Sequence, residues 1–168
     1  MAEAGVLTES DHVELIEGEI IEMSPIGSRH AACVRKLGNL LTRMLAQIAI
    51  VSIQNPVRLN DYSEPEPDIA LLKQKDDFYA QSHPTPEDIY VVIEVADTSV
   101  EYDRSIKMPL YGRAGIAETW IVDLNKEVIE VYTESLNNTY QKAQVLRRGD
   151  ELLSQTIQGL RMKVDDLF

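Results

Sequence analysis

The sequence predicts an α/β fold in which a mixed sheet is flanked by helices. Three observations predict it. Over residues 29–48, apolar positions recur with helical spacing and form one broad face. The runs 68–72 and 89–95 are apolar almost throughout, as strands buried on both faces are. Helices and strands alternate along the chain, an order that stacks helices on a sheet. The 168 residues suffice for one domain, 1–168, with a sizeable core.

Taken in order, residues 1–11 are weakly patterned and read as a loose start. Thr8-Glu9-Ser10-Asp11 offers a helix cap, so a short helix is expected over 11–15. Residues 15–23 read as a hairpin turned by Glu17-Gly18-Glu19, with 20–23 as its return strand. Pro25 and Gly27 break that strand, and Ser28 can cap the long helix. Residues 50–54 alternate as a strand, and 57–60 continue it or start another beyond Asn55-Pro56. The run 68–72 is placed centrally in the sheet. Residues 73–87 are polar, hold Pro84 and Pro86, and read as an exposed loop with a turn near 76–79. The β-rich run 89–95 ends at Asp97-Thr98-Ser99. A helix over 100–112 must accommodate Pro109 and stops at Gly115. Residues 119–124 and 127–133 form a hairpin about Asn125-Lys126. A strand over 140–146, a turn over 147–150 and one or two short strands within 152–168 complete the chain.

Composition narrows the function. Hydrophobic residues make up 44% and charged residues 26%, as in ordinary soluble proteins. A single cysteine, Cys33, rules out an intrachain disulfide framework and a cysteine-built zinc site. On the apolar helix face it reads as a buried structural thiol. No basic-then-apolar leader opens the chain and no apolar run is long enough to cross a bilayer, so a cytoplasmic location is expected. The net charge of −12 argues against generic nucleic-acid binding, which needs cationic contacts to phosphate. Arg29, Arg35, Lys36 and Arg43 make the long helix the most basic part. A solvated face explains them better than a phosphate-tracking strip.

The candidate site lies over 65–111. Asp68 heads the first apolar run, and Glu94 sits inside Val91-Val92-Ile93-Glu94-Val95. A strand-end aspartate commonly only caps a turn. A buried glutamate must be paired, protonated or metal-bound, unless its strand face is open. Two acids on neighbouring strands can hold a hard divalent cation. Lys107, on the following helix, can steady a phosphate or a nucleophilic water. A surface ion pair with Asp103, four residues back, is the plainer role for it. Tyr111 shares its face and can contact substrate phosphate or edge the core. His30, at the head of the long helix, can touch a phosphate or a bound water, or merely cap. Among Glu17, Glu19 and Glu22, Glu22 is the best placed to add a metal or water contact. No Gly-x-Ser-x-Gly element is present for an alternative hydrolase.

The segments Glu-Pro-Glu-Pro-Asp, Val-Ile-Glu-Val, Asp-x-x-x-Lys and Tyr-x-x-Ala-Gly, with Glu22, Pro25, His30, Trp120 and Asp123 around them, span residues 15–140. In that layout the chain resembles the Uma-two family, a restriction-endonuclease-like branch of the PD-(D/E)XK nuclease superfamily. The resemblance implies a restriction-endonuclease-like fold with Asp68 and Glu94 as metal ligands. It departs at two points, the first being the loop after Glu94-Val95, where the family often has a Ser-Pro pair and this chain has Ala96-Asp97-Thr98-Ser99. At the second, the superfamily lysine usually stands two residues after the glutamate, where this chain has Ala96, so its role moves to Lys107. The expected activity is Mg²⁺- or Mn²⁺-dependent hydrolysis of nucleic acid, DNA first. Asp68, Glu94 and the Val95 carbonyl would hold the ion, and an all-oxygen set suits Mg²⁺ or Mn²⁺ over zinc. The alternative is a catalytically silent nuclease-like module for binding or interaction. A homodimer is expected through a strand edge over 128–132.

Overall fold

The computed structural model describes residues 7–8 and 10–168. Most of the expected loose start, and Glu9 of the expected cap, lie outside the described residues. The chain then opens on a hairpin of β1 (Val13–Ile16) and β2 (Glu19–Glu22). The helix expected over 11–15 is therefore a strand. Alternation in Val-Glu-Leu-Ile buries Glu14 and Ile16 on one face, and this outweighs the cap signal before it. The turn is the expected one. Glu17 and Gly18 take positive φ, 50° and 86°, as a two-residue turn matched to strand twist requires.

Helix α1 (Ser28–Leu45) starts from Gly27 as its cap, not from Ser28. Leu37, Leu41 and Leu45, one turn apart, bury its apolar face. A six-stranded sheet follows, in the order β3 (Ala49–Ile53), β4 (Ile69–Lys73), β5 (Ile89–Ala96), β6 (Glu118–Asp123), β7 (Val128–Leu136) and β8 (Thr139–Leu146). Every neighbouring pair is antiparallel except β5 and β6. A parallel pair needs a crossover. Three consecutive helical segments provide it: α2 (Val100–Tyr102), a π-helical turn (Asp103–Lys107) and α3 (Met108–Ala114). Gly115, at φ 82°, stops α3. A small sheet of β9 (Glu151–Leu153) and β10 (Arg161–Lys163) closes the chain.

Two further expectations need correction. Residues 57–60 do not join the sheet. Val57 donates to Pro65 and Leu59 to Ser63, so they form an irregular hairpin loop. Pro56, Pro65 and Pro67 have no amide hydrogen and cannot carry a continuous ladder. Strand β7 is interior, between β6 and β8, so residues 128–132 are no edge.

The sheet divides the core in two. Helix α1 and the C-terminal segment pack on the face that carries Ile69, Leu71, Ile93 and Trp120. The hairpin loop at Val57 and Leu59, together with α3, covers the face of Ala70 and Val92. Cys33 is buried beneath α1, and burial pushes its thiol up to about 11.

Glu118 ties the C-terminal segment to the sheet. Its Oε1 accepts from Trp120 Nε1 at 2.8 Å. Its Oε2 accepts from the Gln155 and Thr156 amides at 2.9 and 3.0 Å and from the Ser154 and Thr156 hydroxyls. Replacing it by alanine strands these buried donors. Glu118→Ala should cost roughly 3 kcal/mol in urea denaturation. Amide exchange over 152–167 should accelerate before that of the central strands.

Candidate active site

The site begins where two strands part. The β4–β5 ladder ends at the pair Ile69–Ile93, while β5 runs on beside β6 to Ala96. The Val95 amide therefore has no β4 backbone partner. Asp68 supplies one: its Oδ2 accepts from Val95 N at 2.8 Å. The same oxygen meets His30 Nε2 at 3.0 Å, and Oδ1 accepts from Gln54 Nε2 at 3.3 Å. Asp68 is thus fixed from α1, β5 and the end of β3. That hydrogen bond to Asp68 raises the His30 pKa, against burial. His30 Nδ1 is buried and has no partner among the described residues.

Alternation along β5 turns Val92, Glu94 and Ala96 away from α1 and toward the crossover. Glu94 is buried, and its Oε1 accepts from Lys107 Nζ at 3.1 Å and from Tyr111 Oη at 2.6 Å. Its Oε2 receives no hydrogen bond among the described residues. Lys107 also meets Glu14 Oε1 at 2.7 Å, and that oxygen accepts from the Glu66 amide at 2.8 Å.

The π-helical turn explains the placement of Lys107. Pro109 has no amide hydrogen, and its ring would strike the Ser105 carbonyl in a regular helix. The backbone widens by one residue just before it, so that Met108 N bonds to Asp103 O. This also undoes the expected surface pair between Asp103 and Lys107. Both are buried. Asp103 accepts from Ser99 Oγ at 2.8 Å, and the ion-pair partners of Lys107 are Glu14 and Glu94.

The charge balance of this cluster is uneven. Glu14, Glu94 and Asp103 lie around the one ammonium of Lys107, and Asp68 shares the cleft with them. Burial, with Asp103 and Asp68 nearby, pushes Glu94 up to about 8 despite the Lys107 charge. Burial likewise lifts Asp103 to about 6. Burial alone would lower Lys107, but Glu94 and Glu14 hold it above its ordinary value.

These groups line a cleft of about 630 Å³ between the hairpin, the β4–β5 fork and α2. Asp68, Glu94, Val95, Lys107, His30 and Glu22 all reach it. Glu22 is exposed on its wall. Tyr111 is the exception. It is fully buried in the core, so its hydroxyl acts on Glu94 and not on a ligand. Glu14 and Glu66 line the cleft as well, and neither is singled out by the sequence pattern. The signal for Glu14 was its place one alternation from Ile16, masked by the expected helix.

Among the described residues, no group of three or more His, Cys, Asp or Glu side chains stands close enough to cage a metal. Mg²⁺ does not require one, because it commonly takes one or two carboxylates and completes its shell with water and phosphate. The oxygen-only donors, the excess of buried acid and the undonated Glu94 Oε2 fit such a cation.

The sequence matches the Uma2 family, described as "Putative restriction endonuclease", over residues 3–165. Among solved structures, a chain from Anabaena variabilis ATCC 29413 described as "a putative nuclease belonging to DUF820" superposes with a TM-score of 0.76. It shares 14% identity, over 99% of this chain and 94% of that one, a likeness of fold. No curated protein matches the sequence.

Two outcomes follow from the buried cluster. Lys107→Met leaves Glu14 and Glu94 without their cation and should cost roughly 3 kcal/mol of stability by urea denaturation. Glu94 has a folded-state pKa of about 8, above its ordinary 4.5. Its contribution to stability is full below about pH 4.5, is lost as pH rises toward 8, and is constant beyond. Glu94→Gln should flatten that part of the stability–pH curve in metal-free buffer.

Proposed function

The chain belongs to the Uma2 family, and on that premise we propose that it is a metal-dependent endonuclease that hydrolyses phosphodiester bonds of DNA. One observation carries the reading. Asp68 and Glu94, far apart in sequence, meet at the end of β5 in one cleft, with the Lys107 ammonium bonded to Glu94. Asp68, Glu94 and the Val95 carbonyl would hold Mg²⁺ or Mn²⁺. The ion, when bound, supplies charge stabilisation at the scissile phosphate and acidifies a water.

The protein's own groups divide the remaining work. His30 and Gln54 hold the Asp68 carboxylate in one orientation. Tyr111 and Lys107 both engage Glu94 Oε1, which turns Oε2 into the cleft. Glu14 keeps the Lys107 ammonium at the cleft wall, where it can steady a phosphate oxygen or the attacking water. Glu22 stands on the exposed wall, where it can add a water contact.

A second reading, a catalytically silent nuclease-like module, is favoured by the net charge of −12 and by the pairing of Lys107 with two carboxylates. Nicking of supercoiled plasmid in Mg²⁺ or Mn²⁺ separates the two. The nuclease reading expects metal-dependent cleavage by the wild type and a loss of at least about 100-fold in Asp68→Ala and Glu94→Ala. Equal cleavage by all three proteins rejects the site. Absence of both cleavage and calorimetric Mn²⁺ binding supports the silent module.

A further inference from the structure

We propose that β3 is the contact through which two copies of this chain pair, edge to edge and antiparallel, joining their six-stranded sheets. Strands β3 and β8 are the outer strands of the main sheet. An outer strand presents unpaired amides and carbonyls, and charged side chains are the usual protection against pairing. The other outer strands carry charge. Strand β2 has Glu19 and Glu22, β8 has Lys142, β9 has Glu151, and β10 has Arg161 and Lys163. Strand β3 reads Ala-Ile-Val-Ser-Ile. From Met44 to Val57 there is no Asp, Glu, Lys or Arg, in a chain in which 26% of residues are charged.

The ladder fixes which groups are free. Gln54 N donates to Asp68 O, in register with the pairing of Ile53 and Ile69. Alternation in an antiparallel ladder then spends Ser52 and Ile50 on β4 and turns Ala49, Val51 and Ile53 outward. The Ile53 carbonyl accepts from the Asn55 side chain at 2.9 Å. No other hydrogen bond to the outward side of Ala49 or Val51 is formed among the described residues.

The occupant is a second copy for two reasons. Antiparallel pairing about Val51 is its own two-fold mate, since Ala49 meets the partner's Ile53 and the reverse. Two bodies of charge −12 repel, and an approach through this uncharged stretch brings none of its own acids against their copies. Ile48, just before the strand, and Ile53, its last residue, are 49% and 39% exposed and add apolar area. Five residues of strand bury less than a permanent dimer needs, so the association is weak and concentration-dependent.

Sedimentation velocity across a concentration series tests this directly. The wild type should shift from monomer to dimer as concentration rises. Val51→Pro removes one outward amide and leaves the β4 ladder intact; Ile53→Lys adds charge at an exposed position. Each should weaken association at least about tenfold with the melting temperature little changed. If Val51→Pro fails to fold, Ile53→Lys decides. Val51→Cys should give a disulfide-linked dimer under mild oxidation, because directly opposed strand residues lie within disulfide reach. A wild type that stays monomeric up to its solubility limit overturns the proposal. So does a dimer that is indifferent to Ile53→Lys and that forms no cross-link in the Val51→Cys variant. Plasmid cleavage is read separately and bears only on the nuclease assignment.

Discussion

The ammonium of Lys107 holds three distant parts of the chain together. It meets Glu14 of the first hairpin and Glu94 of the central strand, and it comes itself from the crossover helix. None of these groups would be tolerable in the interior alone, since an unpaired buried charge costs far more than a pair returns. Each therefore requires the other two. Hairpin, sheet and crossover are brought to one place by this requirement as well as by apolar packing, and that place is the floor of the cleft.

The second requirement is geometric. A sheet whose strands stay paired to their ends has no room between them for a ligand. Here β4 stops while β5 continues, and a side chain, Asp68, takes over the hydrogen bond that a backbone carbonyl would have made. One carboxylate thereby closes the ladder and faces the cleft. A residue with two such duties tolerates little substitution: Asn could keep the amide bond but would lose the charge.

Much of this was legible in the sequence. Glu94 stood out because a lone acid inside an apolar strand must be accounted for, and Asp68 because it heads another such run. The first hairpin announced itself through Glu-Gly-Glu. Other features had no local signal. Glu14 looked like part of a capped helix, because Thr8 to Asp11 resembled a start and four strand residues are too few to reveal their alternation. The burial of Asp103 and Lys107 contradicted their helical spacing, since a widened turn before Pro109 is a backbone response that residue types alone do not specify. Glu118 fell just outside the expected strand at 119–124, and its partners at 154–156 are distant in sequence. Residues 57–60 had strand-like composition, but the prolines flanking them decided otherwise.

The widened turn at Asp103–Lys107 amounts to one surplus residue in an otherwise ordinary coil. An i→i+5 turn spends five residues on nearly the rotation that an α-helix covers with four, so the surplus is absorbed inside the turn and the segments on either side keep their phase. The irregularity is therefore local: α3 and Tyr111 stay aimed as a regular helix would aim them, and only the side chains within Asp103–Lys107 are shifted relative to their neighbours.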